Sequence, residues 1–314
     1  MAMADGQGVV TGRINRLARH VAFGLALVIL PIWASGPMGP FGTPAAAQDA
    51  TVTEAAPVEV VAAVDGLVRT MRIDEIIAVL RDEGLEYGKT LEADMFGGSG
   101  GPGWEAAVDG IYDVQRMRAA FQDGLTRELA RDPQGIAAMD GFFGSELGQT
   151  VLRLEIEARR TLLDEAAEEA AKLAWEDMES SDDPRVALIQ RFAAANDLVE
   201  SNVMGALNAN LAFYVGMQEG GAFGDEMTEE QMLSDVWGQE AQVREQVGDW
   251  LFPYLALAYG PLSDEELESY IAYSETDAGQ QLNSALFAAF DGVFSPISKA
   301  LGVAVAREMQ GQDI

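Results

Sequence analysis

The stretch FFGSELGQ, Phe142 to Gln149, returns 131 residues later as YSETDAGQ, Tyr273 to Gln280. Each carries an aromatic, a hydroxyl three residues on, and Gly-Gln three residues after that. The same shift lays Ala62–Val68 over Ala193–Val199, Ile76 over Leu207, Leu80 over Leu211 and Asp132 over Ser263. It also pairs Ile136 with Leu267, Met139 with Tyr270 and Val151 with Leu282. The register slips only in the central linkers, where Trp104 and Trp237 stand 133 apart. A period this long indicates a duplicated domain, not a short-repeat solenoid.

The repeated unit reads as helical. Val58, Val61, Val64, Val68, Ile76, Ile77 and Leu80 recur at roughly helical spacing. Ala, Leu, Glu, Gln and Met are abundant, and these favour helix. No segment alternates with a period of two. The expected fold is therefore all-α, two tandem copies of a four-helix unit spanning 58–179 and 180–314.

Punctuation places the helices. The first copy should run 58–95, break at the Gly-rich Phe96–Gly103, and resume over 104–130. That glycine-rich stretch lacks the Gly-Lys-Ser/Thr ending of a phosphate loop and reads as a linker. Asp132-Pro133 then starts a short helix to Gly144, and Ser145 caps a fourth reaching Glu179. The second copy opens near Pro184 and is linked by Glu219–Met227. Capping boxes start its later helices at Thr228/Gln231 and Ser263/Glu266, and Thr276 caps the last.

This accounts for the repeated frame. Ser145 and Thr276 sit where one helix ends and another begins, and each hydroxyl can take an orphan amide two or three residues on. Glu146 and Asp277 place negative charge at the helix start. Gly148 and Gly279 let neighbouring backbone come close, and Phe142 and Tyr273 can pack across the corner. The frame is a structural helix–helix corner.

From Leu262 to Gln281 the chain reads LSDEELESYIAYSETDAGQQ: a capped Glu-Glu-Leu, an aromatic at the helix end, then Ser/Thr-x-x-Gly-Gln. This resembles the bacterial domain-of-unknown-function family 2059, best over 262–302 with a weaker echo over 132–163. Asp277 stands where that family often has proline. The resemblance implies an exported, all-helical protein of Gram-negative bacteria, and brings no catalytic residues with it.

The N-terminus points to the same compartment. Arg13, Arg16, Arg19 and His20 precede the apolar run Val21–Ala34, whose 14 residues are short for a bilayer span. Ala45 and Ala47 fit a signal-peptidase site, so 1–47 reads as a secretory signal and 48–57 as an extended segment. No Cys follows the run, which rules out a lipoprotein anchor. The mature chain is expected in the periplasm, with no transmembrane segment.

Composition narrows the chemistry. The 314 residues contain no Cys, and the one His lies in the leader. A His triad, a Cys nucleophile, a Cys/His zinc site, an iron–sulfur cluster and His-ligated haem are thereby excluded from the mature chain. Of 20 basic and 51 acidic residues, three Arg and Asp5 fall in the leader, leaving a net charge of −33 on the mature chain. Such a chain repels nucleic acid and anionic lipid. Asp164–Ala171, Ser181–Pro184 and Asp225–Gln231 are acidic but lack the spacing of a calcium loop. Glu155–Arg159 and Arg153–Glu157 read as helical i,i+4 ion pairs.

No catalytic, cofactor-binding or metal-ligating residues emerge. The functional candidate is an apolar groove at Trp250, Phe252, Tyr254 and Tyr270, within a second half rich in aromatics. Pro253 should kink that helix or mark its start. The expected function is a non-enzymatic binding or scaffolding protein that presents the groove to an envelope protein or lipid. The alternative is a carboxylate-dependent peptidoglycan hydrolase, with its acid pair unspecified.

Overall fold

The computed structural model describes residues 56–223 and 227–312. The expected leader and cleavage site lie outside the described residues. Among those residues the chain is all-helical, with no strand. Helices α1 (Val58–Thr70), α2 (Ile73–Phe96), α3 (Gly101–Ile111) and α4 (Val114–Leu129) are followed by a 3-10 turn at Pro133–Gly135. Then come α5 (Ile136–Phe143), α6 (Glu146–Thr161) and α7 (Glu165–Ser180). The second half comprises α8 (Pro184–Ala195), α9 (Leu198–Glu219), α10 (Glu229–Trp237), α11 (Glu240–Tyr259), α12 (Asp264–Ser274) and α13 (Asp277–Gln312).

Several expected helices are divided. The one placed at 58–95 breaks where Arg72 takes a left-handed φ of 56°, and the second half breaks alike at Asp197, φ 41°. An isolated left-handed residue leaves little trace in hydrophobic spacing. The helix placed at 104–130 breaks at Tyr112, and Asp113 recaps α4 by accepting from Arg116 N–H. The one placed at 145–179 breaks at Leu162, and Asp164 caps α7 through Ala167 N–H. Each half therefore holds more than four helices. Pro253 lies inside α11 and Pro296 inside α13, neither at a helix start.

Both expected capping boxes form. Thr228 Oγ1 accepts from Gln231 N–H, and Gln231 Oε1 accepts from Thr228 N–H. Ser263 and Glu266 make the same reciprocal pair. Thr228→Ala should cost about 1 kcal/mol and lower Tm by about 2–4 °C in thermal unfolding followed by circular dichroism. An unchanged Tm would mean that α10 adds nothing to the cooperative fold.

The halves interlock. α4 of the first packs on α13 of the second, with Phe121 against Phe290 at 4.5 Å between centroids. Reciprocally, α11 of the second packs on α6 of the first. α7 crosses over to lie on α11, where Trp175 stacks on Phe252 at 5.4 Å. By length and composition α13 could cross a membrane, but half of its most apolar stretch is buried in the fold. Its inward face, including Leu282, Leu286, Phe290 and Leu301, packs with α9 and α4 as core.

Candidate functional site

The two corner motifs have one geometry. Ser145 Oγ accepts from Gly148 N–H at 3.1 Å and donates to Phe142 O at 2.6 Å. Thr276 Oγ1 accepts from Gly279 N–H at 3.0 Å and donates to Tyr273 O at 2.7 Å. A Cβ on Gly148 would lie 2.2 Å from Phe142 O, and one on Gly279 would lie 2.3 Å from Tyr273 O. The backbone that approaches is thus the end of the preceding helix. The aromatics behave differently from expectation. Each packs on the other motif's ring, Phe142 on Tyr273 at 3.7 Å with planes 3° apart. A double-mutant cycle with Phe142→Ala and Tyr273→Ala should give a coupling of about 0.5–1.5 kcal/mol. Strict additivity would show the contact to be energetically idle.

The aromatics expected to line a groove are core residues. Tyr254 and Tyr270 are 1% and 0% exposed, Trp250 is buried, and Phe252 is half-buried beneath Trp175. No open groove forms at these four. An apolar helix face looks the same in sequence whether another helix covers it or not, and here α6, α7 and α9 cover α11.

One of them, Tyr270, joins Tyr259 in holding a buried carboxylate. Glu155, on α6, is 3% exposed. Its Oε1 accepts from Tyr259 Oη at 2.7 Å and Tyr270 Oη at 3.2 Å, while Oε2 has no partner. Burial pushes its pKa up from 4.5 to about 8, and the two hydroxyl donors pull back. The expected Glu155–Arg159 pair does not form. Arg159 instead makes a two-pronged bond to Glu83 on α2, at 2.6 and 2.8 Å, and lies 5.8 Å over the Trp250 ring. Burial disfavours the guanidinium charge, but facing Glu83 outweighs it and the Arg159 pKa is raised. The expected Arg153–Glu157 pair does form, at 2.7 Å on the surface.

A buried acid with a raised pKa suits general acid chemistry. This one is enclosed by protein, so no substrate can reach it as the fold stands. Its burial did have a sequence signal. Val151, Leu152, Glu155, Ile156 and Arg159 recur at the spacing of one helix face, so Glu155 and Arg159 both point inward. The tyrosines and Glu83 lie too far along the chain for any local pattern to pair them.

An open cleft lies elsewhere. Between α2 and α3, beside Leu163 at the foot of α7, lies a surface cleft of about 820 Å³. Leu85, Trp104, Val108 and Leu163 form its apolar part, and Trp104 is fixed by donating Nε1–H to Gly88 O at 2.9 Å. Asp82, Glu86, Glu92, Glu105 and Asp109 rim it, with Lys89 the one cation among the lining residues. Trp237 does not mirror Trp104: it is 47% exposed on α10, whose inward residues are Met232 and Val236. Among the described residues no group of three acids is placed to hold a metal ion.

No family model, curated protein or solved structure matches the chain.

Proposed function

We propose that the chain is an exported, non-enzymatic helical binding or scaffolding module of the cell envelope, built by tandem duplication. The observation that carries the binding reading is the α2–α3 cleft, an apolar floor within an acidic rim, open on the surface and within the size range of ligand sites, roughly 300–1,000 Å³. The acid best tuned for catalysis lies sealed in the core instead.

Duplication is supported by the similar order of helices in the two halves and by the shared geometry of the corners, which stand 131 residues apart. Export is supported by the leader-like 1–47 and by the resemblance of 262–302 to family 2059. In this reading α13 remains a core helix.

The test is to express the full chain with a C-terminal tag, fractionate the cells and sequence the N-terminus of the recovered protein. It should lie in the periplasm and begin at Gln48. Cross-linking followed by mass spectrometry of proteins and lipids should give a near-stoichiometric companion. Retention in the cytoplasm would overturn the export reading. Peptidoglycan turnover by the purified mature chain would overturn the non-enzymatic one.

A further inference from the structure

The two Gly-containing corners are finished differently. Between α9 and α10 the chain fills its own corner: Phe223 stacks on Tyr214 at 6.1 Å, and Phe223 and Met227 pack against the core. Gln218 Nε2 holds that loop by donating to Met227 O at 2.9 Å. Between α2 and α3 the connection is Gly97, Gly98, Ser99 and Gly100, which brings no large side chain back. It folds tightly, with Gly101 N–H donating to Glu92 and Ser99 Oγ donating to Phe96 O. The space beside Trp104, Val108 and Leu163 is left as the cleft. Leu163, 40% exposed, is one of the few large apolar side chains left open to water.

Charge narrows what could enter. Five acids and one lysine line the cleft, and Lys89 is already paired with Glu86 at 2.6 Å. Asp109 is paired with Arg81, while Asp82 and Glu105 stand exposed at the rim. An anionic lipid headgroup or acidic peptide would be repelled, and a cation-bearing one attracted. The apolar floor requires an apolar anchor between those cations, since burying charge against Trp104 would cost more than the rim returns.

We propose that the α2–α3 cleft binds a cationic peptide segment of a partner protein, which inserts one Phe- or Met-sized side chain between flanking Lys or Arg residues. This rests on the binding-module reading and assigns that module its site and ligand class.

The test uses the purified mature chain and a short fluorescein-labelled peptide bearing one Phe between two pairs of Lys, followed by fluorescence anisotropy. Saturable binding is expected, weakened about tenfold by Phe→Ala in the peptide. Ala106→Trp, which fills the cleft from an exposed position, should weaken it by a similar factor, and so should Asp82→Lys with Glu105→Lys. Glu176→Lys with Glu179→Lys, the same charge change at the far end of α7, should alter it by less than about twofold. Circular dichroism confirms that each variant is folded. Equal loss in the α7 pair and the rim pair would mean attraction to net charge alone, and would overturn the proposal, as would absence of saturable binding. If the peptide fails while the cross-linked chain still yields one companion, the ligand class is wrong and the binding-module reading survives. Failure of both sinks both.

Discussion

Alanine at Gly302 or Gly216 should destabilise the protein by about 3 kcal/mol, the upper end for an overpacked core, and lower Tm by about 6–12 °C. A Cβ at Gly302 would sit 2.2 Å from Phe213 O and 2.9 Å from Met217 N. One at Gly216 would sit 2.0 Å from Lys299 O. These are backbone atoms of the facing helix, so no rotamer change relieves the clash. α9 and α13 would have to separate, and this is the most extensive helix pair in the fold. The control lies on the same two helices. A Cβ at Gly205 or Gly292 would meet nothing within 4 Å. Gly→Ala there should stabilise by about 0.5–1 kcal/mol, the ordinary helix preference. The same substitution thus changes sign along one helix. Urea midpoints on the four variants read this directly, and similar midpoints for all four would refute the close crossing.

Glu155→Gln should remove a large share of the protein's pH dependence. With its carboxyl pushed up to about 8 from 4.5, folded Glu155 keeps a proton that the unfolded chain has released across that interval. Stability from this group is complete below about pH 4.5 and is lost as pH rises through about 8. The loss is of order 3–5 kcal/mol, at about 1.4 kcal/mol per pH unit. Glutamine cannot ionise, and its carbonyl oxygen can still accept from Tyr259 and Tyr270. The variant should therefore match the parent near pH 4.5 and exceed it by several kcal/mol at pH 8.5. Other carboxylates titrate identically in both chains and cancel in the difference. A stability difference that does not vary with pH would show that Glu155 is already ionised in the fold.

The helical class, the corners and the capping boxes were legible in sequence because each is a local device. A hydroxyl three residues from its amide, or an apolar residue every third or fourth position, needs only a few neighbouring residues to be recognised. The left-handed breaks at Arg72 and Asp197 were not legible, because neither position holds a glycine or proline to announce a change of φ. The groove placed at Trp250, Phe252, Tyr254 and Tyr270 was misread for a different reason. Residue type fixes that a face is apolar, and what covers it is a matter of distant chain.

By itself, then, the sequence determined where the helices cap, which faces are apolar, and that two corners share one construction. It also shows that the chain has no Cys and no His beyond His20. Only the tertiary structure decided that the corners stack on each other, that Glu155 is held by tyrosines about a hundred residues away and Arg159 by Glu83, and that the α2–α3 connection leaves a cleft open. These depend on which helices cross and how closely, and that is set by many weak contacts summed over the whole chain, none of which is written in any one segment.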